Sequence, residues 1–400
     1  MTPSSLEELS DVVASCNRNG ERIAIEGGNT LAGMGVPVQR PCTRVRTASL
    51  TGIVEDAPTD LVVAAQGGIT LRNLATQLAA HGTHIPFDAP LAHQATLGGT
   101  LAAGWLGPRR HLYGRPRDYV IGSVAVLADG TIARAGGMVV KNVSGYDMSR
   151  LYVGAFGTLG IIAQANLKTT ALPPLTRIFI APLPEGTRRR ALASIASLHI
   201  VPAAAFWVEG FHQSIDGDDG HEGRLIVLLE GSAALLERST RDLRSALGRA
   251  GVPETQILDT GAREAFGRIL DAYVSCLGER SITYRISAHS QSLIDRVLAA
   301  RLLAERFELR ADTLVDAMND DLILRVSDLD SHALGAKIAM FDDALHDDEP
   351  GATVVAGAHP QRASLNVWGE LPDAFDRMRA LKARFDPNGT LNPGRFIGGI

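Results

Sequence analysis

The sequence predicts an α+β protein of two domains, and three observations carry that prediction. The chain has 400 residues, more than one ordinary core spans, and its 45% hydrophobic content can fill two. Its 41 glycines are unevenly placed: 22 precede residue 170, in short clusters that follow apolar, β-branched runs. After Pro173-Pro174 the glycine pairs thin out, and strands alternate with helical stretches.

In chain order, Ser5 and Glu8 form a capping-box pattern ahead of Leu6, Leu9, Val13 and Cys16 at helical spacing, and Asn19-Gly20 is the stop signal. Arg22 to Ile25 reads as a strand running into Gly27-Gly28-Asn29-Thr30. Asp60 to Ala65 reads as a second, running into Gly67-Gly68. A helix over Leu71 to Ala80 and a loop with Pro86 and Pro90 lead to Thr96-Leu97-Gly98-Gly99. Val120 to Leu127 and Thr131 to Arg134 pair as a hairpin across Asp129-Gly130. Strands are expected at Phe206 to Phe211, Leu225 to Glu230, Ser281 to Ser287 and Asp321 to Val326. Helices at Ala233 to Arg249 and Ser290 to Leu303 suit a sheet covered on one face. The turn-rich Phe385 to Phe396 is no independent element and is expected to return to the first domain. The expected division is 1–173, a cofactor domain; 174–370, a cap; and 371–400, the returning segment.

Composition removes several classes. A formal charge of -5 without a Lys/Arg-rich block argues against a nucleic-acid surface. The opening MTPSSLEELSDVV lacks a basic and apolar leader, and no apolar run is long enough to span a bilayer, so a cytoplasmic location is expected. Cys16, Cys42 and Cys276 are isolated, which rules out a four-thiolate iron–sulfur site within the chain. His81 and His84 lack a nearby third ligand, and Asp216, Asp218 and Asp219 lack the spaced ligands of a calcium loop, so no metal is expected.

Paired glycines after strands let several backbone N–H groups converge on one anion, the means by which a pyrophosphate is cradled. Three clusters have this form: Gly27 to Thr30, Thr96 to Gly99, and Gly154 to Gly160. Each alone is compatible with a tight turn; their combination in one half of a chain points to a dinucleotide. A nicotinamide fingerprint is missing, since Gly33-Met34-Gly35 runs into Pro37 rather than a helix.

Seven segments resemble, in order, the FAD-binding oxidases of the vanillyl-alcohol oxidase and p-cresol methylhydroxylase (PCMH) type. They are I-x-G-G-N-T (Ile25 to Thr30), A-x-G-G (Ala65 to Gly68), A-T-L-G-G-T-L-A (Ala95 to Ala102) and G-R-P-R-D-Y-V-I-G (Gly114 to Gly122). The others are G-x-x-V-K-N-V-S-G-Y-D (Gly137 to Asp147), G-A-F-G-T-L-G-I-I (Gly154 to Ile162) and F-D-P-N-G-T-L-N-P-G-R-F (Phe385 to Phe396). V-K-N-V-S-G-Y-D-M-S-R-L and the short N-P-G-R terminus are most similar to the FAD-binding subunits of bacterial glycolate oxidases.

The resemblance implies a PCMH-type fold with a cap domain and an FAD lying extended between the two. Gly27, Gly28, Asn29 and Thr30 would meet the pyrophosphate, and Thr96, Leu97, Gly98 and Gly99 would pass beneath the ribityl and flavin. Gly157, Thr158, Gly160, Ile161 and Ile162 would line the adenosine side, with Asn392 near the isoalloxazine. Covalent relatives carry a histidine in the first glycine loop where this chain has Asn29 and Thr30, so the FAD is expected to be non-covalent. The implied partners are a larger FAD-binding subunit and an iron–sulfur subunit, through which the chain would associate with a membrane, and the implied substrate is glycolate or another small 2-hydroxy acid. Lys141 and Arg285 are the candidate catalytic or substrate-binding cations, each also readable as a structural charge. Arg109, Arg110, Arg115 and Arg117 read as substrate-orienting groups, as a solvated face or as a partner contact. The H-x-G-D-G-N-x-H motif of self-sufficient relatives is missing from Val354 to Trp368, where His359 stands alone.

Overall fold

The computed structural model describes residues 1–38, 41–139, 147–211, 223–253, 256–275, 280–287, 293–328, 334–357 and 362–400. The chain divides into two units: Met1–Gly107, Arg115–Leu172 and Glu370–Ile400 form the first, and Pro108–Gly114 with Pro173–Gly369 the second. The short segment Pro108–Gly114, read from sequence as part of the first domain, groups with the second.

The first unit opens with the helix Leu6–Arg18, where Ser5 Oγ accepts the Glu8 N–H at 3.1 Å. The Glu8 carboxylate reaches back one residue further than the capping-box pattern implies, accepting from the Ser4 N–H and hydroxyl at 2.7 and 2.8 Å. Strands β1 (Ile23–Glu26) and β2 (Thr43–Arg46) pair in parallel. β3 (Ile53–Ala57), β4 (Val62–Gln66), β6 (Val120–Val126), β7 (Ile132–Gly136) and β8 (Ile161–Lys168) form an antiparallel sheet in the order β3-β4-β8-β6-β7. β5 (Thr83–His84) pairs with β9 (Thr170–Ala171).

The C-terminal segment is built into this unit. Leu391 bridges to Ile23 alongside β1 and sits in one apolar cluster with Leu9, Val13, Ile23, Val45 and Val126. Lys382, on the helix Phe375–Phe385, donates to Asp386 at 2.6 Å, Thr158 O at 2.9 Å and Leu391 O at 3.0 Å. Asp386 in turn accepts the Thr390 and Leu391 N–H groups, each at 2.8 Å. A buried ion pair whose remaining valences are all hydrogen-bonded fixes geometry more than it adds stability.

The second unit is an antiparallel sheet of β10 (Leu175–Pro182), β11 (Ala204–Glu209), β12 (Arg224–Gly231), β13 (Gln256–Leu258), β14 (Ser281–Ser287), β15 (Arg310–Asp316), β16 (Asp321–Ser327) and β17 (Thr353–Gly357). Their order is β13-β10-β12-β11-β15-β16-β14-β17. Trp207, Glu209 and Tyr284 point to one face, where they meet Arg188, Arg301 and Asp342 on three of the covering helices, Arg188–Ala196, Leu293–Arg306 and Gly335–Asp348. The opposite face is covered too, by the helix Ala262–Ala272 through the Phe206–Phe266 contact and by Pro108–Gly114. The sequence reading, which covers one face only, misses this because the covering segment comes from a distant part of the chain.

That second face carries a charge layer. Arg285 pairs with Asp321, and Arg110 donates to Asp321 at 2.6 Å and lies 3.6 Å from Asp316. Arg109 and Tyr113 both reach Glu230, at 2.9 and 2.8 Å, and Asn319 Nδ2 donates to Pro108 O at 2.7 Å. Arg325 pairs with Asp312 at 2.5 Å, with its guanidinium 4.4 Å from the Phe211 ring centroid. Burial raises the Asp321 pKa, but the charges of Arg285 and Arg110 outweigh it and leave a lowered value. For Asp316 burial wins over Arg110, and its pKa rises from 3.8 to about 7.

A raised carboxyl pKa stabilises the fold at low pH, where both states hold the proton, and this contribution is lost as pH climbs from about 4 to 7. We therefore expect wild type to lose stability relative to Asp316→Asn across pH 4 to 7, by up to about 4 kcal/mol. Urea unfolding of both proteins at a series of pH values measures this. A pH-independent difference would contradict the burial argument.

Candidate cofactor cleft

Four backbone segments of the first unit converge on one cleft that opens to solvent. Its walls are the turn after β1, the helix Leu97–Ala103, the loop leading into β8, and the C-terminal segment. Of the fourteen residues expected at the cofactor, Gly27, Gly28, Asn29, Thr30, Thr96, Gly98, Gly99, Gly157, Gly160, Ile161, Ile162 and Asn392 line it. Leu97 and Thr158 do not. Leu97 is fully buried, and the Thr158 hydroxyl is turned back to Ala155 O at 2.7 Å.

The glycines have a different task from the one steric reasoning about a ligand assigns them. A Cβ at Gly28 would collide with Gln94 O, one at Gly27 with Thr96 Oγ1, and one at Gly98 would lie 2.9 Å from Ile162 O and 3.0 Å from Gly67 O. Gly28 and Gly98 let protein backbone approach protein backbone, and Gly27 makes room for the Thr96 side chain. Gly98 N–H donates to Gly67 O at 2.7 Å, Leu97 N–H to Ile69 O at 2.9 Å, and Gly99 N–H to Thr96 Oγ1 at 3.2 Å. The first turn of Leu97–Ala103 thus spends its donors inside the protein and is no anion cradle.

The donors left over lie elsewhere. Among the described residues no acceptor meets the N–H groups of Gly28, Asn29, Thr30 and Leu31, four in succession around a left-handed residue, Asn29 at φ 57°. Consecutive amides in such a turn form a concavity for an anion. The N–H groups of Gly157, Leu159 and Gly160 are likewise without an acceptor among the described residues. Of the seven described non-glycine residues at positive φ, Asn29, Phe156 and Asn392 all line this cleft, and such strain concentrates at ligand sites.

Asn392 ties the walls together. Its Oδ1 accepts the Ile25 N–H at 2.8 Å, its Nδ2 donates to Phe156 O at 2.7 Å, and its own N–H donates to Ile23 O at 2.8 Å. Its side chain therefore positions backbone rather than offering donors to a ligand. Phe156 stacks on Phe396 with centroids 5.5 Å apart, and Arg395 donates to Met34 O at 3.1 Å.

Sequence reasoning did not single out Thr47, Thr100, Ala102, Ala103, Phe156 or Arg395, all of which line the cleft. Thr100 and Ala102 stand inside the A-T-L-G-G-T-L-A segment, so helical spacing past Gly99 was an available signal.

Of the two candidate cations, Arg285 does not line this cleft. Lys141 lies outside the described residues, as do Asn142, Tyr146, His359, Cys276 and the acidic run at Asp216. Arg285 is held by Asp321 in the second unit, as a structural charge. Tyr284 faces the other side of the sheet, donating to Asp342 at 2.9 Å. Arg109 and Arg110 form neither a substrate clamp nor a solvated face but are half-buried and held in ion pairs, whereas Arg115 and Arg117 are exposed. His81 is paired with Asp56 at 2.7 Å and His84 contacts Thr170. No group of described residues is arranged to hold a metal, and no described helix is long and apolar enough to cross a membrane.

Comparison with known proteins agrees with this geometry. Residues 1–136 match the model of the FAD binding domain family. Glycolate oxidase subunit GlcE of Escherichia coli is 28% identical over 379 residues, covering 94% of this chain and 92% of that protein. Glycolate oxidase subunit GlcD of Bacillus subtilis is 26% identical, covering 99% and 88%. A D-lactate dehydrogenase of Archaeoglobus fulgidus is also 26% identical, covering 99% and 90%. Among solved structures, p-cresol methylhydroxylase superposes with a TM-score of 0.75 at 16% identity, covering 99% of this chain and 88% of its own. Alkyldihydroxyacetonephosphate synthase gives 0.72 at 17%, covering 99% and 77%. The chain is thus a protein of the PCMH-type fold with a FAD binding domain at residues 1–136, related over nearly its whole length to hydroxy-acid oxidases and dehydrogenases.

Proposed function

We propose that this chain is a FAD-dependent oxidoreductase acting on CH–OH groups. It binds FAD non-covalently in the cleft and takes part in oxidising a small 2-hydroxy acid, glycolate to glyoxylate, as one subunit of a complex. A larger FAD-binding subunit and an iron–sulfur subunit would be its partners. The observation that carries the cofactor assignment is the run of four unclaimed amides at Gly28 to Leu31 opening on a glycine-lined cleft. Bound there, FAD would supply a two-electron acceptor.

The chain's own residues have defined parts. Gly28 to Leu31 hold the pyrophosphate by backbone N–H groups, and Gly157 to Gly160 meet the cofactor from the opposite wall. Asn392 keeps those walls at a fixed separation. Among the described residues lining the cleft none is His, Cys or Tyr, which supports a flavin held without a covalent bond. The pairing of Arg285 with Asp321 leaves it unsuited to a substrate carboxylate and supports dependence on a partner. Similarity to proteins named D-lactate dehydrogenase favours a second reading, an independent FAD-linked oxidoreductase of another hydroxy acid.

Three measurements test this. FAD should leave the chain on acid or heat denaturation, and fluorescence that stays with the polypeptide on a denaturing gel would contradict non-covalent binding. Thr30→Glu sets a carboxylate beside amides meant for an anion and should weaken FAD binding at least tenfold with an unchanged melting temperature of the apoprotein. Unaltered affinity would move the pyrophosphate elsewhere. In anaerobic stopped flow, glycolate should reduce the flavin of the isolated chain at least 100-fold more slowly than in the assembled complex, since positioned donors and a base each contribute roughly that factor. Rapid reduction without partners would select the second reading.

A further inference from the structure

We propose that the side-chain hydroxyl of Thr100 is a hydrogen-bonding group for the bound cofactor, an assignment that rests on the reading that this cleft takes FAD. Thr100 lies on the helix Leu97–Ala103, lines the cleft, and is 2% exposed. Its Oγ1 is buried and has no hydrogen-bond partner. A helical threonine ordinarily meets this need by bonding the carbonyl four residues back. Here Thr96 O takes the Thr100 N–H at 2.9 Å, while the hydroxyl stands apart.

The other polar side chains of the cleft differ from it. Thr96 Oγ1 accepts from Gly99 N–H, Thr47 Oγ1 donates to Glu26 O, Asn392 is bonded at both ends, and Arg395 donates to backbone carbonyls. Asn29 is exposed and Thr30 half-buried, so water can serve them. Thr100 alone among these is both shielded from water and unclaimed by protein. A buried hydroxyl left unmade destabilises a fold, so a group placed this way costs stability unless a ligand supplies its partner. Its neighbours on the wall, Ala102, Ala103, Ile161 and Ile162, are apolar, and valine would fill the same space. The hydroxyl can donate or accept, and the charge of the pyrophosphate is already matched by the amides at Gly28 to Leu31. Thr100 therefore serves an uncharged polar atom of the cofactor.

A structural role and a cofactor role predict opposite signs in the apoprotein, which gives a decisive test. Full-length wild type, Thr100→Val and Thr100→Ser are compared by thermal melting without flavin and by fluorescence titration with FAD. The proposal expects Thr100→Val to melt at or above the wild-type temperature without flavin and to bind FAD roughly 5- to 30-fold more weakly. Thr100→Ser should keep affinity within about threefold. A Thr100→Val apoprotein that melts lower would show a partner within the protein and overturn the proposal, as would unchanged FAD affinity. Wild type that fails to bind FAD would instead remove the cofactor reading itself, and that titration is read first.

Discussion

The site depends on backbone packed against backbone. At Gly28 and Gly98 a single added carbon would strike the backbone at Gln94 O or Ile162 O, so the loop after β1 is held against the segment before Leu97–Ala103, and the start of that helix against β8, at distances only glycine permits. That closeness consumes the amides of Leu97 and Gly98 inside the fold, while those of Gly28 to Leu31 meet no acceptor among the described residues. The proposed anion-binding surface is thus what remains after packing is satisfied, and it owes nothing to the first turn of Leu97–Ala103.

A second constraint comes from the far end of the chain. Asn392 holds Ile25 and Phe156 at once, and the Lys382–Asp386 pair fastens Thr158 O and Leu391 O to the same segment. Two walls of the cleft, nearly 130 residues apart in sequence, are therefore fixed by side chains more than 200 residues further on. Truncation of the last turn-rich segment removes the ties between walls rather than a lid over them. The second unit spends its charges on itself: Arg110, Arg285, Asp316 and Asp321 form one buried layer, with Asp316 raised to about 7 because burial outweighs its arginine.

Much of the first unit was legible because its signals are local. A capping residue, glycine pairs after apolar runs and an Asp-Gly turn mark elements within a few residues of themselves, and the strands, hairpin and first helix lie close to where those marks put them. β15 was not expected from the sequence, and its Asp312 and Asp316 serve a buried charge layer whose partners Arg325 and Arg110 lie on other segments. The fate of Arg109 and Arg110 was hidden for the same reason, because their partners Glu230 and Asp321 are remote in sequence. At the cleft, the glycine clusters marked loops that the structure brings together but could not say which amides were already spent, since donor satisfaction is a property of tertiary contacts.

The central claim is that one cleft of the first unit, walled by four segments, takes the flavin nucleotide. Hydrogen–deuterium exchange of the full chain with and without FAD tests it most directly. Simultaneous protection is predicted in peptides spanning residues 26–32, 97–104, 155–162 and 389–396, strongest in the first because its four amides gain acceptors. Protection confined to other segments, or none at saturating FAD, would contradict the account.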